Sequence, residues 1–241
     1  MERGIKLESL NATNDGAEIL LSYKNGHVGK LDFKGIVVGA DGGKSKVRDS
    51  TGIPFKGWEH NEEFKIYDVA LETNLNHKEG HYRIFKEGAM LMLHIRNGVW
   101  RIAGNMPELF NYLPKGTKTG KISWETEFTV KEKVASRFNL NNVFLLGDAA
   151  HLHSPVGGKG MNLCIEDSYI FSQLINENRE REFDKLRRGV INKNVGLLGQ
   201  ITDKIGGQNF LAGTIRNNMD KLAFIFPVVM PGMRKFLLGI K

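Results

Sequence analysis

The chain has 241 residues, 41% of them hydrophobic, which is enough to bury a sizeable core as one domain or as two closely packed ones. Its formal charge of +7 suits anionic small molecules such as dinucleotides. The basic residues fall in short groups, Lys44/Lys46/Arg48 and Arg179/Arg181/Lys185/Arg187/Arg188, with no long basic run interleaved with aromatics, so no nucleic acid is expected as a partner.

The opening Met1-Glu2-Arg3-Gly4 carries no apolar signal core, and no stretch reaches the ~20 apolar residues that span a bilayer. A reducing, cytoplasmic location is the expectation. Residues 5–10, 18–23 and 27–33 alternate apolar and polar side chains and predict three strands, with Asn14-Asp15-Gly16 and Lys24-Asn25-Gly26 as turns. The Asn-Gly pair between the second and third is a strong hairpin signal. Gly35-Ile36-Val37-Val38-Gly39 is a wholly apolar run of the kind buried on both faces of a sheet flanked by helices. Ser45 is placed to N-cap a short helix that ends near Gly52.

From Pro54 to Glu127 the period stays near two. Strands are predicted over 64–75, 81–85, 89–95 and 99–104, forming a second, antiparallel sheet that reads as the substrate platform. Residues 107–121 read as a loop, and 130–138 as a helix. Residues 143–146 predict a second buried strand, running into Gly147-Asp148. A long helix is expected over 161–175, with Cys164 on its apolar face as a buried, inert thiol. As the single cysteine, it also excludes an internal disulfide. Further helices are predicted over 183–204, 210–226 and 232–238. The segment 222–238 is apolar between basic flanks, which suits core packing or peripheral membrane contact.

Two turns carry the chemistry. In the first, a buried strand ends in Gly39-Ala40-Asp41-Gly42-Gly43, and small residues there let a ligand or another backbone approach closely. Asp41 then sits at the carboxyl end of a strand, where open α/β sheets place ligands. The plainer reading makes Asp41 a turn residue in a capped strand–helix junction. In the second, a buried strand delivers Asp148, and a rigid Pro155 loop with Gly157, Gly158 and Gly160 opens a long helix. Consecutive amides at a helix N-terminus attract negative charge, and glycines keep side chains out of the way of a flat ring or a phosphate.

The two turns together resemble the FAD-dependent aromatic hydroxylases built on the fold of p-hydroxybenzoate hydroxylase. The family's middle motif, D-G-x-x-S-x-V-R, is matched by Asp41, Gly42, Ser45, Val47 and Arg48. Its later motif, G-D-A-A-H-x-x-x-P-x-G-G-x-G-M-N, is matched from Gly147 through Asn162. The resemblance covers nearly the whole chain and implies an α/β (α+β) fold: a truncated FAD-binding sheet domain, an antiparallel substrate sheet and C-terminal helices. The implied division is 1–54 and 128–206 for the FAD-binding domain, 55–127 for the substrate domain and 207–241 for a C-terminal helical segment.

The resemblance also implies roles. Asp148 would hydrogen-bond the ribityl or pyrophosphate part of FAD. Pro155 and the backbone of Gly157, Gly158, Lys159, Gly160, Met161 and Asn162 would line the flavin ring, and Gly147 would belong to the same cofactor-binding set. Asp41 and Arg48 would support the pyrophosphate and the approach of NAD(P)H. The implied reaction is NAD(P)H-driven, O2-dependent hydroxylation of a small aromatic or polycyclic molecule. Phe64, Tyr82, Phe85, Met90, Met92, His94 and Trp100 supply the pocket candidates, about half of which face inward because side chains alternate. No catalytic residue is singled out. His151 and His153 are expected to hydrogen-bond locally rather than to bind a metal.

The chain departs from the family in one respect. No G-x-G-x-x-G occurs: the only Gly-x-Gly is Gly158-Lys159-Gly160, and Leu163 takes the third glycine's place. In the family a strand–glycine-turn–helix unit of about a hundred residues with its surroundings precedes these strands and holds the FAD diphosphate. The chain is therefore expected to be a truncated or split piece that does not bind FAD tightly unless a partner chain supplies the other half. Lys159 stands where glutamine is commoner. The competing readings are an inactive remnant acting as a binding protein, and a flavin-dependent dehydrogenase or halogenase on the same fold.

Overall fold

The computed structural model describes residues 2–85, 87–153 and 159–205. The helices expected over 210–226 and 232–238, the apolar segment 222–238, and Pro155, Gly157 and Gly158 lie outside the described residues. In chain order the strands β1 (Ile5–Ala12), β2 (Gly16–Tyr23) and β3 (Val28–Lys34) form an antiparallel meander, as their alternation and the Asn-Gly turn require. β4 (Val37–Gly39) follows and leads into α1 (Lys46–Thr51). The Ser45 hydroxyl accepts the Arg48 N–H at 2.9 Å and starts that helix, and Gly52, at φ 65°, ends it in the left-handed conformation.

Next come β5 (Phe55–Glu72), β6 (Gly80–Ile84), β7 (Ala89–Arg96), β8 (Val99–Gly104) and β9 (Lys118–Ala135). They are followed by β10 (Asn139–Leu140), β11 (Val143–Leu145), β12 (His151–Leu152), α2 (Gly160–Asn176) and α3 (Phe183–Ile205). Residues 130–138, read from the sequence as a helix, instead finish β9 at Ala135 and bend over 136–138 into β10. The spacing of Val130, Val134 and Phe138 fits one helical face, but the backbone here has strand partners. His151 pairs with Val134 and Leu152 with Lys133. Gly57 of β5 comes so close to β9 that a Cβ there would fall 1.9 Å from the Glu132 carbonyl oxygen. Tertiary pairing overrides a pattern that either structure could satisfy.

The chain divides into two compact units, Met1–Trp58 with Lys131–Leu198, and Glu59–Val130 with Gly199–Lys241. In the first, β4 pairs with β11 in parallel, Val37 opposite Val143, Phe144 opposite Val38 and Leu145 opposite Gly39. Parallel partners show the same face, so the register sorts the surroundings. Gly39 and Leu145 face α1, where Val47 packs. Val38 and Phe144 face α2, whose Phe171 ring lies 4.9 Å from that of Phe144. The core joins these to Leu10, Ile53, Phe138, Leu163, Phe183 and Ile191. The run from Gly35 to Gly39, expected to be buried on both faces, is covered on one: Val38 is 42% exposed.

In the second unit, β5, β8, β7 and β6 lie in that order, each antiparallel to its neighbour. One face buries Val69, Met90, Met92, Trp100 and Ile102 together with Met106 and Leu109.

Gly39 is the tightest point of the strand–helix junction, since a Cβ there would stand 2.8 Å from both Cβ and Cγ1 of Val47. Both atoms belong to a short branched side chain fixed on α1, so the helix itself must move. Gly39→Ala is expected to lower the stability of the first unit by about 1–3 kcal/mol in urea unfolding, the usual range for overpacking.

Candidate functional site

Parallel pairing of β4 with β11 sets the two glycine turns side by side at the carboxyl ends of adjacent strands. The ladder continues through Leu146, whose N–H donates to the Gly39 carbonyl at 2.9 Å. Asp41 is exposed, and its carboxylate works within its own turn: it accepts from the Ser45 hydroxyl at 2.5 Å and from the Val47 N–H at 3.1 Å. Arg48, in contrast, is buried. Its guanidinium donates to the Gly43 carbonyl at 3.0 Å and to the Ala149 carbonyl at 3.1 Å, and it lies 3.9 Å over the Phe55 ring. It thus ties the first motif to the second.

Gly147, at φ 60°, bends the chain after β11 and leaves Asp148 exposed. The thiol of Cys164 donates to Asp148 Oδ1 at 3.5 Å. Gly160, Met161 and Asn162 form the first turn of α2, with no acidic residue in that turn and, among the described residues, no side-chain cap bond from the N-cap Lys159. The first amides of a helix lack intrahelical acceptors and carry the positive end of its dipole. Lys159 adds a charge at the same place, and partial burial draws its pKa below the usual lysine value.

Behind the turn lies a network that the sequence did not reveal. Asp167, His151 and Arg187 are all buried. His151 Nε2 donates to Asp167 Oδ2 at 2.7 Å, and Arg187 Nε donates to Asp167 Oδ1 at 2.8 Å. Burial pushes the Asp167 carboxyl up, but the hydrogen bonds from His151 and Arg187 outweigh it, and the net shift is downward. The one available signal was an aspartate on the helix face that also carries Leu163, Phe171 and Leu174.

On the second unit, the register sorts the expected pocket residues. Met90, Met92 and Trp100 lie inside the core, and Phe85 packs against it. His94 shares their face, its ring 5.3 Å from that of Trp100. Phe64 stacks on Phe128 at 5.8 Å, and Tyr82 is exposed. The face away from the core carries Tyr82, Leu91, Leu93 and Ala103 with an ion pair missed in the sequence. Arg101 donates to both oxygens of Asp68 at 2.8 Å, beneath the Trp124 ring at 5.4 Å. The Arg101 hydrogen bonds hold the Asp68 carboxyl below its usual pKa.

Burial, reinforced by the charge of Asp148, pushes the Cys164 thiol up to about 12. Only about one molecule in ten thousand would then carry the thiolate at pH 8, against roughly a quarter for an ordinary cysteine. Iodoacetamide at pH 8 is expected to alkylate the folded chain at least ~100-fold more slowly than the urea-unfolded chain, followed by mass spectrometry.

Comparison with known proteins gives a consistent picture. A family profile described as "FAD binding domain" matches residues 2–103 and 109–182. Pentachlorophenol 4-monooxygenase of Sphingobium chlorophenolicum is 29% identical over 186 residues, covering 70% of this chain and 34% of the relative. 6-Methylpretetramide 4-monooxygenase of Streptomyces rimosus is 29% identical over 150 residues, 55% of this chain and 27% of the relative. This chain therefore spans about a third of the length of the curated relatives it matches. Among solved structures, the OxyS anhydrotetracycline hydroxylase from Streptomyces rimosus superposes with a TM-score of 0.77 at 20% identity, covering 100% of this chain and 53% of that one. The p-nitrophenol 4-monooxygenase PnpA of Pseudomonas putida DLL-E4 gives 0.76 at 20% identity, covering 98% and 65%. With both turns, the parallel strands behind them and the family profile in agreement, the chain belongs to the FAD binding domain family and has the p-hydroxybenzoate hydroxylase fold.

Proposed function

We propose that this chain forms part of an FAD-dependent monooxygenase that uses NAD(P)H and O2 to hydroxylate a small aromatic or polycyclic molecule in the cytoplasm. One observation carries the reading: two glycine turns bearing Asp41 and Asp148 leave the carboxyl ends of adjacent parallel strands, in the unit that also presents the start of α2. These groups suit a dinucleotide whose ring system takes up negative charge on reduction. Gly147, Asp148, Lys159, Gly160, Met161 and Asn162 would hold it, with Asp41 at the pyrophosphate side. Pro155, Gly157 and Gly158 complete the proposed set. Arg48, committed to two carbonyls, would act from below by fixing the two turns together. When bound, FAD supplies the redox chemistry, taking hydride from NAD(P)H and activating O2.

The chain's own share is orientation and exclusion of water. We assign the substrate to the open face of the second unit's sheet. There Tyr82, Leu91, Leu93 and Trp124 offer apolar area, and the Asp68–Arg101 pair offers a fixed polar mark for a ring substituent. The pentachlorophenol and nitrophenol activities named for relatives are consistent with an aromatic substrate of this kind.

The same reading implies a partner segment. Among the described residues, β4 has a strand partner on one side only. Val38 is exposed on the face shared with α2, and Met161, Ile165 and Tyr169 of α2 are 73%, 59% and 65% exposed. These three recur at every fourth residue and form one stripe. A strand added in parallel to β4 and continuing away from β11 by right-handed crossovers must place its helix on the face opposite α1, which is the face of α2. A β-α-β unit with the dinucleotide fingerprint fits both the edge and the stripe, whether it comes from the same polypeptide or from a partner chain.

Titration with FAD, read by flavin fluorescence and the visible spectrum, tests the proposal on this chain and on a version extended by such a unit. The extended form is expected to turn yellow and to oxidise NAD(P)H faster when a phenol is added. An extended form that stays colourless overturns the proposal. Charging the stripe with Ile165→Glu and Tyr169→Glu should weaken FAD binding by the extended form at least ~10-fold. In the shorter chain, where both positions face solvent, it should change stability by no more than ~1 kcal/mol in total.

A further inference from the structure

Asp167 is a carboxylate on a helix face that otherwise buries Leu163, Phe171 and Leu174. Both of its oxygens are used. Oδ2 accepts from the Gly147 N–H at 3.1 Å and from His151 Nε2 at 2.7 Å, and Oδ1 accepts from Arg187 Nε at 2.8 Å. Arg187 also reaches the Leu163 carbonyl at 3.5 Å and the Glu166 carboxylate at 2.9 Å. His151 Nδ1 has no hydrogen-bond partner among the described residues, so the ring's hydrogen bonding runs through Asp167, while Phe138 and His153 pack against it. Four pieces of chain therefore converge on one side chain: the Gly147 turn, β12, α2 and α3.

A buried ion pair is a poor way to gain stability, because apolar side chains of the same volume do as well or better. A carboxylate adds direction: its lone pairs fix the angles at which three donors must approach. Two of those donors belong to the segment that carries Asp148, and the acceptor rides on α2. We propose that Asp167 is a positioning residue, setting the Gly147–Asp148 turn against the first turn of α2 so that both meet the flavin in one fixed geometry. The role in flavin binding rests on the assignment of those groups to FAD.

All three partners of the carboxylate are N–H donors, which makes the test sharp. Asparagine has the same shape but must turn its amide N–H groups toward either Gly147 and His151 or toward Arg187. Glutamine at position 151 can still donate to Oδ2, whereas leucine cannot. Amide hydrogen exchange in this chain, with no flavin added, reads the effect at Gly147 and Asp148, with the β2 amides as an internal control in the same unit. Asp167→Asn is expected to speed exchange at Gly147 at least ~10-fold while the β2 amides change less than about two-fold. His151→Leu should do the same and His151→Gln should restore slow exchange. If Asp167→Asn does not fold, the two His151 variants decide. Unchanged exchange at Gly147, or an equal rise in the β2 amides, overturns the proposal. In the extended, flavin-binding form, Asp167→Asn should weaken FAD binding at least ~10-fold and shift the flavin absorption band, and an unchanged affinity also overturns it. Selective exchange at Gly147 in a protein that never binds FAD would uphold the positioning and overturn the flavin assignment by itself.

Discussion

The first unit depends on the reach of one buried guanidinium across 101 residues, from Arg48 on α1 to the Ala149 carbonyl beyond β11. β4 and β11 are three residues each, too short to hold register by ladder bonds alone. Arg48 adds two hydrogen bonds to main-chain carbonyls that would otherwise be left in a nearly dry environment, and Phe55 covers its other side. Were this contact absent, the Asp41 and Asp148 turns would be joined only by a few strand amides. With it, the two turns form one rigid rim.

A second buried charge acts on the other side of that rim. Arg48 holds Ala149 from the α1 face, and Asp167 holds Gly147 and His151 from α2. The segment from Gly147 to His151 is therefore clamped from both faces of the sheet by side chains whose own partners are fixed. Binding groups carried on short turns keep their geometry when the layer beneath them is locked in this way. The exposed side chains nearby, Asp148, Met161 and Asn162, need no rigidity of their own.

Much of this was legible in the sequence because local chemistry decided it. The Asn-Gly turn and alternation marked the first meander, Ser45 and Gly52 marked both ends of α1, and the glycine-rich approach to Gly160 marked the start of α2. What escaped was decided by distant partners. The pattern of Val130, Val134 and Phe138 satisfied a helix until β12 and Gly57 claimed its backbone. The two main-chain carbonyls that Arg48 holds do not show in its motif, because one of them lies 101 residues away. Asp167 drew no notice because the partners that use its charge, Gly147, His151 and Arg187, lie 16 to 20 residues away. Arg101 and Asp68, 33 residues apart in the chain, meet only once β8 has found β5.

The interrupted layout of the first unit has a consequence for how the polypeptide acquires its shape. β6, β7 and β8 join neighbours a few residues away, so these hairpins can zip early. β4 must wait until synthesis has gone on for a hundred residues and delivered β11, and loop closure of that length is slow compared with hairpin formation. During that interval the edge of β4 that β11 will take stays open. The charged turn at its end, Asp41 with Lys44 and Lys46, would then serve a second purpose, keeping that strand from pairing with another copy before its proper neighbour arrives.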